Sequence, residues 1–314
     1  MRRPVALGLA LLIGLGTWIG VGAIAADPYR ARAQTPAVEI SRAQDARFVP
    51  SVRGNRPIFI LAIGSDARPD EQVDRRLADS IHVIGVNPRQ GAASIVGFPR
   101  DSYVPIPGFG EAKINESLYN GGPELVVETV EGVTGIQIDY WVLTSFRGMT
   151  SMVNGIGGLR VDVPYPMDDF YSGADFEVGE QVLDGRQALA FARNRHDTPD
   201  GDFSRSQNHG LLLMAALGQL RAEFRRDPSV LFQWIAVGLQ NVQTDLGFDE
   251  VFVLLLTAVT VGPEQVTNVV LPGGIGMAGE ASVVILTDGA QAIFDDLADD
   301  GLLESAPAGA SDGG

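Results

Sequence analysis

Three features of the 314-residue sequence predict an α/β fold. Continuous apolar runs with the length of buried strands come first, at residues 57–64, 80–86 and 93–98. Segments with helical periodicity then alternate with further strand-like runs. The apolar fraction of 45% is enough for a substantial core, and the length permits either one large α/β unit or two domains.

The first three strands are expected to form an antiparallel meander. The segment 87–91, with Pro88 and Gly91, is a turn signal between the second and third runs. If the strands pair in chain order, Asp66, Asp79 and Arg100 lie at one end of the sheet. Two carboxylates and a guanidinium at one place can hold a metal ion with a phosphate ligand. Taken singly, each aspartate is also compatible with loop capping, and the arginine with a surface ion pair.

The rest of the chain is predicted to continue with helices and strands in turn. Glycine, proline and capping residues mark several boundaries, among them Gly135 after the first helix and Ser204 before the longest one. Helices are predicted at 122–133, 146–154, 183–192, 205–224, 229–242 and 290–297, and strands at 140–143, 159–163 and 266–271.

Two arginine-containing segments are candidate anion sites. If the chain is extended after the helix at 183–192, Arg193 and Arg195 share a face and form an anion clamp, whereas a continued helix would separate them. Arg205 falls in the first turn of the long helix, where free backbone N–H groups and the macrodipole favour an anion. Because guanidinium groups bind phosphate oxygens in a bidentate manner, these arginines indicate a phosphate or pyrophosphate site.

The predicted helices at 205–224 and 229–242 are apolar on more than one face. Two interpretations stay open. The residues form ordinary core, or they line a slot for a lipid chain that enters from the membrane side.

The termini predict an anchored, exported protein. Residues 1–3 are a basic cytoplasmic tip, and 4–26 form an uncharged apolar stretch long enough for a transmembrane anchor. A cleaved signal peptide is the alternative for this segment. Residues 27–55 are interpreted as a stalk, 56–300 as the globular domain and 301–314 as a disordered tail. The predicted location is the cell membrane, single-pass, with the domain outside.

Composition excludes several chemistries. The sequence has no cysteine, so it has neither disulfides nor a thiolate nucleophile or metal ligand. Its three histidines are scattered, which argues against a zinc site. The formal net charge of −16 repels polyanions, so nucleic acid is not an expected partner.

Over residues 56–224, and more loosely to the last helix, the chain resembles the LytR-CpsA-Psr family of cell-envelope enzymes. No single motif is specific, but many occur in the same order. They are Gly64-Ser65-Asp66-Ala67-Arg68, Asp79-Ser80-Ile81, Phe98-Pro99-Arg100-Asp101-Ser102-Tyr103-Val104, Lys113-Ile114-Asn115, Tyr119-Asn120-Gly121-Gly122-Pro123-Glu124, Val161-Asp162-Val163-Pro164, Met167-Asp168-Asp169, Leu183-Asp184-Gly185, Ala192-Arg193-Asn194-Arg195-His196 and Asp202-Phe203-Ser204-Arg205.

The resemblance implies one extracytoplasmic α/β domain with a central mixed sheet flanked by helices. It implies a magnesium-dependent phosphotransferase that moves a glycopolymer from a polyprenyl-pyrophosphate carrier to peptidoglycan. Asp66 and Asp79 would hold Mg²⁺, and Asp79 would also be the candidate base for the incoming hydroxyl. The pyrophosphate would be bound by Arg100, Arg193, Arg195 and Arg205, with Arg100 also counted as catalytic.

Two positions depart from the family pattern: Leu77 replaces an arginine, and His209 replaces a glutamine. Arg75 or Arg76 would reach the same oxygens if the loop is remodelled; otherwise the grip on pyrophosphate is weakened. The departures motivate one alternative to the transferase, a non-catalytic envelope protein that binds polyprenyl phosphate or glycan as a scaffold or regulator. A lipid pyrophosphatase, which hydrolyses the carrier without an acceptor, is a close variant of the enzyme.

Overall fold

The structure is a computed structural model that describes residues 56–304. The predicted cytoplasmic tip, anchor and stalk, and the tail from residue 305, lie outside the described residues. Within 56–304, no helix combines the length and apolarity needed to cross a membrane.

The described residues form an α/β fold. The strands are β1 (Ile58–Ser65), β2 (Ala78–Asn87), β3 (Ala92–Phe98), β4 (Tyr103–Ile106), β5 (Gly110–Lys113), β6 (Tyr140–Ser145), β7 (Leu159–Val163), β8 (Met167–Asp169), β9 (Ala174–Phe176), β10 (Gly179–Leu183), β11 (Val242–Thr244), β12 (Val266–Val270), β13 (Gly273–Ala278) and β14 (Ala281–Leu286). The α-helices are α1 (Glu116–Thr134), α2 (Phe146–Gly155), α3 (Gly185–Arg193), α4 (Asp202–Arg226), α5 (Val230–Leu239), α6 (Phe248–Ala258) and α7 (Asp288–Asp300).

A six-stranded mixed sheet in the order β11-β6-β1-β2-β3-β12 lies at the centre. The predicted antiparallel meander of β1, β2 and β3 is confirmed. β6 and β12 join it in parallel to β1 and β3, and β11 is antiparallel to β6. β1 and β2 are buried central strands, which explains their nearly continuous apolar sequence.

One face of the sheet packs against α1 and α7 in a continuous apolar core. Alternate residues of β1 point to this face, among them Leu61 and Ile63, which are 0% and 3% exposed. Val126 of α1 and Phe294 of α7 belong to the same cluster. This face is therefore a closed hydrophobic layer.

The other face is covered by α2, α3, α4 and α5, and it carries smaller residues. Ala62 and Gly64, which alternate with the core-facing residues of β1, are only partly buried and line a cavity. A Cβ atom on Gly64 would approach the Cβ of Ser80 to 2.9 Å, so the two strands meet closely there. The sequence of β1 thus makes one packed face and one open face.

Several predicted boundaries were wrong. α1 begins at Glu116, six residues before the predicted start, and Gly122 interrupts it with a φ of 75°. α4 begins at Asp202, capped by Gly201 with a φ of 54°, so Ser204 lies inside the helix and its hydroxyl accepts from the Asp200 amide instead. α5 ends at Leu239, because the chain then enters β11.

Several parts of the fold had no sequence prediction. They are the helix α6, the hairpins β4–β5, β8–β9 and β13–β14, and the strands β10 and β11. In addition, the first residues of the predicted disordered tail are packed. Leu303 is buried, and its amide donates to the Ser94 hydroxyl at 2.9 Å. The packed part of the chain therefore extends beyond residue 300.

Candidate active site

The two candidate metal-binding aspartates lie where β1 and β2 diverge. Gly64 pairs with Ser80 but Ser65 pairs with Ala78, so Asp79 is the extra residue of a β-bulge inside β2 and does not precede the strand. Bulges re-aim side chains. Asp66 follows β1, and its carboxylate accepts a hydrogen bond of 3.1 Å from the Leu77 amide. Backbone geometry thus positions both carboxylates.

Arg100 and Arg205 converge on Asp79. Nη1 of Arg100, just after β3, contacts Oδ1 of Asp79 directly. Nη1 of Arg205, on the first turn of α4, lies 3.7 Å from the same oxygen. Arg205 is buried, and that burial lowers the pKa of its guanidinium against the opposing effect of Asp202 and Asp79. Asp66, Asp79 and Arg100 therefore lie at one end of the sheet, as the meander predicted, and Arg205 joins them from α4.

Asp202 joins this cluster although it was not among the predicted site residues. Its Oδ1 lies 3.0 Å from Arg205 Nη2, 3.8 Å from Arg100 Nε and 3.9 Å from Arg195 Nη1. The available signal was its position three residues before Arg205, which puts both side chains on one face of a helix. Asp202 also supplies a negative charge to the basic first turn of α4, so no bound anion is required to explain Arg205 there.

The structure separates the surroundings of Arg193 and Arg195. Arg193 is the last residue of α3, and its guanidinium lies 5.3 Å from the centroid of the Phe146 ring. Arg195 follows the extended residue Asn194 and approaches Asp202. Both border the site, but among the described residues their contacts are different, so the shared clamp stays a prediction.

Arg76 directly precedes Leu77, the position at which the family pattern has an arginine. Its Nε lies 3.6 Å from Asp66 Oδ1 and 3.3 Å from Glu71 Oε2, so an upstream arginine does reach the site. Burial raises the pKa of Asp66, the nearby Asp79 carboxylate raises it further, and Arg76 acts in the opposite direction. Because a neighbouring carboxylate disfavours the ionised form of Asp66, added positive charge is favourable at this place.

A mostly apolar cavity of about 360 Å³ opens beside this cluster. Its walls come from the β1 face and from α2 to α5, with Met149, Leu212 and Trp234 among the lining residues. Asp79, Arg193 and Arg205 line it as well. For the helices α4 and α5 the sequence left two interpretations open, ordinary core or a slot. In the structure these helices pack against their neighbours and also enclose a cavity with charged groups in its wall.

Two histidines lie behind the charged groups. His82 is fully buried, and its Nε2 donates to the Ser206 carbonyl at 3.0 Å while its Nδ1 accepts from the Ser80 hydroxyl at 3.0 Å. Burial lowers the pKa of His82 to about 4. The ring of His209 lies 5.7 Å from that of His82, and burial also lowers its pKa well below the usual value. Both imidazoles are therefore neutral at pH 7.

The residues present fit a divalent cation bound together with phosphate. Among residues 56–304 no group of three or more acidic or histidine side chains is arranged to hold a metal ion. Asp66 and Asp79 supply two hard oxygen donors, and Mg²⁺ is commonly bound by one or two carboxylates with water and phosphate oxygens completing its shell. The buried Nε atoms of Arg100 and Arg205 have no hydrogen-bond acceptor in the described part of the chain, which leaves donors for an anion.

The fold and the site define a class of protein in which paired carboxylates and arginines border a deep apolar cavity on one face of a mixed sheet. The chain belongs to the LytR_cpsA_psr family, whose family model matches residues 25–298.

Relatives agree with this assignment. The chain is 30% identical over 259 residues to the polyisoprenyl-teichoic acid–peptidoglycan teichoic acid transferase TagU of Bacillus mycoides, covering 80% of this chain and 82% of that protein. It is 31% identical over 204 residues to the TagU of Enterococcus faecalis, covering 64% of this chain and 65% of that protein. The crystal structure of B. subtilis TagV matches with a TM-score of 0.65 and 25% identity, covering 78% of this chain and 96% of that chain.

Proposed function

We propose that this protein is a magnesium-dependent phosphotransferase that moves a glycopolymer from a polyprenyl-pyrophosphate carrier to peptidoglycan. The observation that carries the proposal is the apolar cavity with Asp79, Arg193 and Arg205 in its wall. A ligand complementary to this surface has a long apolar tail joined to a strongly anionic group. The names of the TagU relatives state a transfer of this kind, from a polyisoprenyl-linked polymer to peptidoglycan.

Substrate binding is divided between the two parts of the site. The cavity walls remove the isoprenoid chain from water, which contributes about 25 cal/mol for each Å² buried. The arginines bind the pyrophosphate oxygens, and their separate positions around Asp79 and Asp202 allow contacts to both phosphates. Phosphoryl transfer depends mainly on such positioning and charge stabilisation.

Asp66 and Asp79 are the residues that would hold Mg²⁺. When bound, the ion supplies positive charge to the phosphate oxygens and offsets the mutual repulsion of the two carboxylates. Arg76 stays beside Asp66 and favours its ionised form.

In the proposed reaction, Asp79 accepts the proton of the incoming hydroxyl. The hydroxyl oxygen forms a bond to the phosphorus that bears the glycan, and the bond from that phosphorus to the bridging oxygen breaks. Polyprenyl phosphate leaves with that oxygen, and Arg100 and Arg205 stabilise the charge on the phosphates. His209, which lines the cavity, and His82 behind it are both neutral and add no positive charge beside the arginines.

The proposed location is the outer face of the cell membrane, with residues 4–26 as the anchor. Because the carrier lipid stays in the bilayer, an anchored enzyme diffuses in the same membrane plane as its substrate. The acceptor proposed is a hydroxyl of peptidoglycan.

The test is a reaction of the full-length protein with a polyprenyl-pyrophosphate glycan, peptidoglycan fragments and Mg²⁺. We expect glycan joined to the acceptor together with free carrier phosphate, and a loss of about 10²- to 10⁴-fold in Asp79→Ala. Asp295→Ala, at an exposed position of α7, is the matched control. Glycan phosphate released without joining the acceptor would identify a lipid pyrophosphatase, and tight lipid binding without turnover would identify a scaffold.

A further inference from the structure

We propose that the tip of the β8–β9 hairpin, with His196 beside it, binds a sugar ring of the substrate. This inference rests on the proposed function and adds a site for the carbohydrate. The aromatic tip, as we call it, consists of Phe170, Tyr171 and His196. Phe170 is 93% exposed and Tyr171 is 74% exposed, which is unusual for large rings.

The three rings are adjacent, and their planes are inclined to one another by 77° between Phe170 and Tyr171 and by 41° between Tyr171 and His196. The centroid of Tyr171 lies 4.6 Å from that of His196 and 6.0 Å from that of Phe170. Aromatic faces carry partial negative charge and attract the weakly positive C–H bonds on the apolar face of a pyranose ring. The aromatic tip therefore offers exposed ring faces against which a sugar can stack.

The aromatic tip is held in place by a buried carboxylate. Asp169 is only 3% exposed, and its Oδ1 accepts a hydrogen bond of 2.9 Å from the Tyr171 amide. Its Oδ2 lies 3.1 Å from Nδ1 of His196. Although burial alone would raise the pKa of Asp169, the hydrogen bonds from His196 and Tyr171 lower it overall, so the carboxylate stays charged. Preorganised rings lose little entropy when a ligand binds.

The hairpin is also connected to the loop that carries the arginines. The Asp168 amide donates to Oδ2 of Asp197, two residues after Arg195. Arg195 in turn approaches Asp202 in the charged cluster. In the proposed function the cavity holds the lipid and the arginines hold the pyrophosphate. The sugar then lies on the side of the arginines that faces away from the lipid. The aromatic tip adjoins the loop that carries Arg195.

Charge favours a sugar over a membrane surface. Asp168 and Asp175 are exposed and lie directly opposite each other on the hairpin. Like charges in that position repel each other, so a ligand that donates hydrogen bonds to them is favoured. Carboxylates accept hydrogen bonds from sugar hydroxyls, whereas they are repelled by anionic lipid headgroups.

The sugar has two chemically similar sources, the donor glycan and the peptidoglycan acceptor, and binding measurements distinguish them. The full-length protein in detergent is titrated with three probes: a polyprenyl pyrophosphate bearing N-acetylglucosamine, the same lipid without sugar, and a soluble N-acetylglucosamine–N-acetylmuramic acid tetrasaccharide. The variants are Phe170→Ser and Tyr171→Ser. The matched control is Phe248→Ser, at a residue that is 60% exposed at the start of α6.

We expect each tip variant to bind about three- to tenfold more weakly than wild type to one saccharide probe, with unchanged affinity for the sugar-free lipid. Weaker binding of the sugar-bearing lipid assigns the tip to the donor, and weaker binding of the tetrasaccharide assigns it to the acceptor. Unchanged affinity for both overturns the inference, as does a loss confined to vesicles of anionic phospholipid. If wild type binds neither lipid probe, the proposed function fails, while the tetrasaccharide still tests the aromatic tip.

Discussion

The two faces of the central sheet differ in how completely they are filled. On the face toward α1 and α7, Leu61 and Ile63 of β1 are buried in a continuous apolar core. On the opposite face, Ala62 and Gly64 of the same strand line a cavity of about 360 Å³. Because side chains alternate along a strand, adjacent residues serve the two faces separately.

This difference shows how one strand supports both stability and function. Large residues on one face supply the burial that keeps the domain folded. Small residues on the other face leave a cavity, and the charged groups at the ends of the strands border that cavity. The closed face should therefore respond to mutation through stability, and the open face through activity.

The largest effect is expected on the open face, from Arg205→Met. The substitution keeps the apolar stem but removes a buried charge that faces Asp79 and Asp202, so transfer should fall by about 10²- to 10³-fold. Arg205→Lys should retain part of the activity. Arg221→Met, on the same helix and paired with the exposed Glu264 at 3.5 Å, is the control and should change little. Equal losses in the two methionine variants would contradict the assignment.

Adjacent substitutions in β1 compare the two faces directly. Leu61→Ala should lower the free energy of unfolding by about 2–5 kcal/mol, because it opens a cavity in a closed core. Ala62→Phe should leave the denaturation midpoint nearly unchanged and raise KM for the lipid carrier about tenfold, since blocking ~60 Å² of apolar contact costs ~1.5 kcal/mol. Denaturant unfolding and initial rates measure both. A stability loss in Ala62→Phe comparable to that in Leu61→Ala would show that the open face is packed.

A pH series tests the buried polar groups of the open face. The pKa of His82 falls from 6.5 to about 4 on folding, so the folded state binds fewer protons than the unfolded state between these values. The contribution of neutral His82 to the free energy of unfolding should be fully present above pH 6.5. The free energy of unfolding should decrease by about 3 kcal/mol as the pH falls to about 4.

His82→Gln, which cannot take up a proton here, should flatten this decrease in unfolding experiments. His209 shifts in the same direction, so part of the decrease should persist. A slope identical to that of wild type would exclude His82 as its source.

The smallest effect is expected for Arg193→Ala. This guanidinium stacks on Phe146 at the cavity wall, outside the contacts around Asp79. Its loss should raise KM for the carrier about three- to fivefold, with kcat nearly unchanged. Steady-state kinetics separate the two constants. A fall in kcat as large as that of Arg205→Met would place Arg193 among the reacting groups.

Much of the site was readable from the sequence, because local patterns carry it. The meander of three strands placed Asp66, Asp79 and Arg100 at one end of the sheet, as observed. The start of α4 was less readable, since the positive φ of Gly201 lets the helix begin at Asp202. The role of Asp202 was missed because its partner Arg100 comes from a distant part of the chain.

The sequence by itself determined the strand meander, the order of the motifs and the family, because strand alternation, turn residues and ordered motifs are local properties. Only the tertiary structure decided that helices α2 to α5 leave a cavity against the small residues of β1. Whether apolar helices close on a sheet or stand away from it depends on the summed volumes of side chains from several elements. No single segment contains that information.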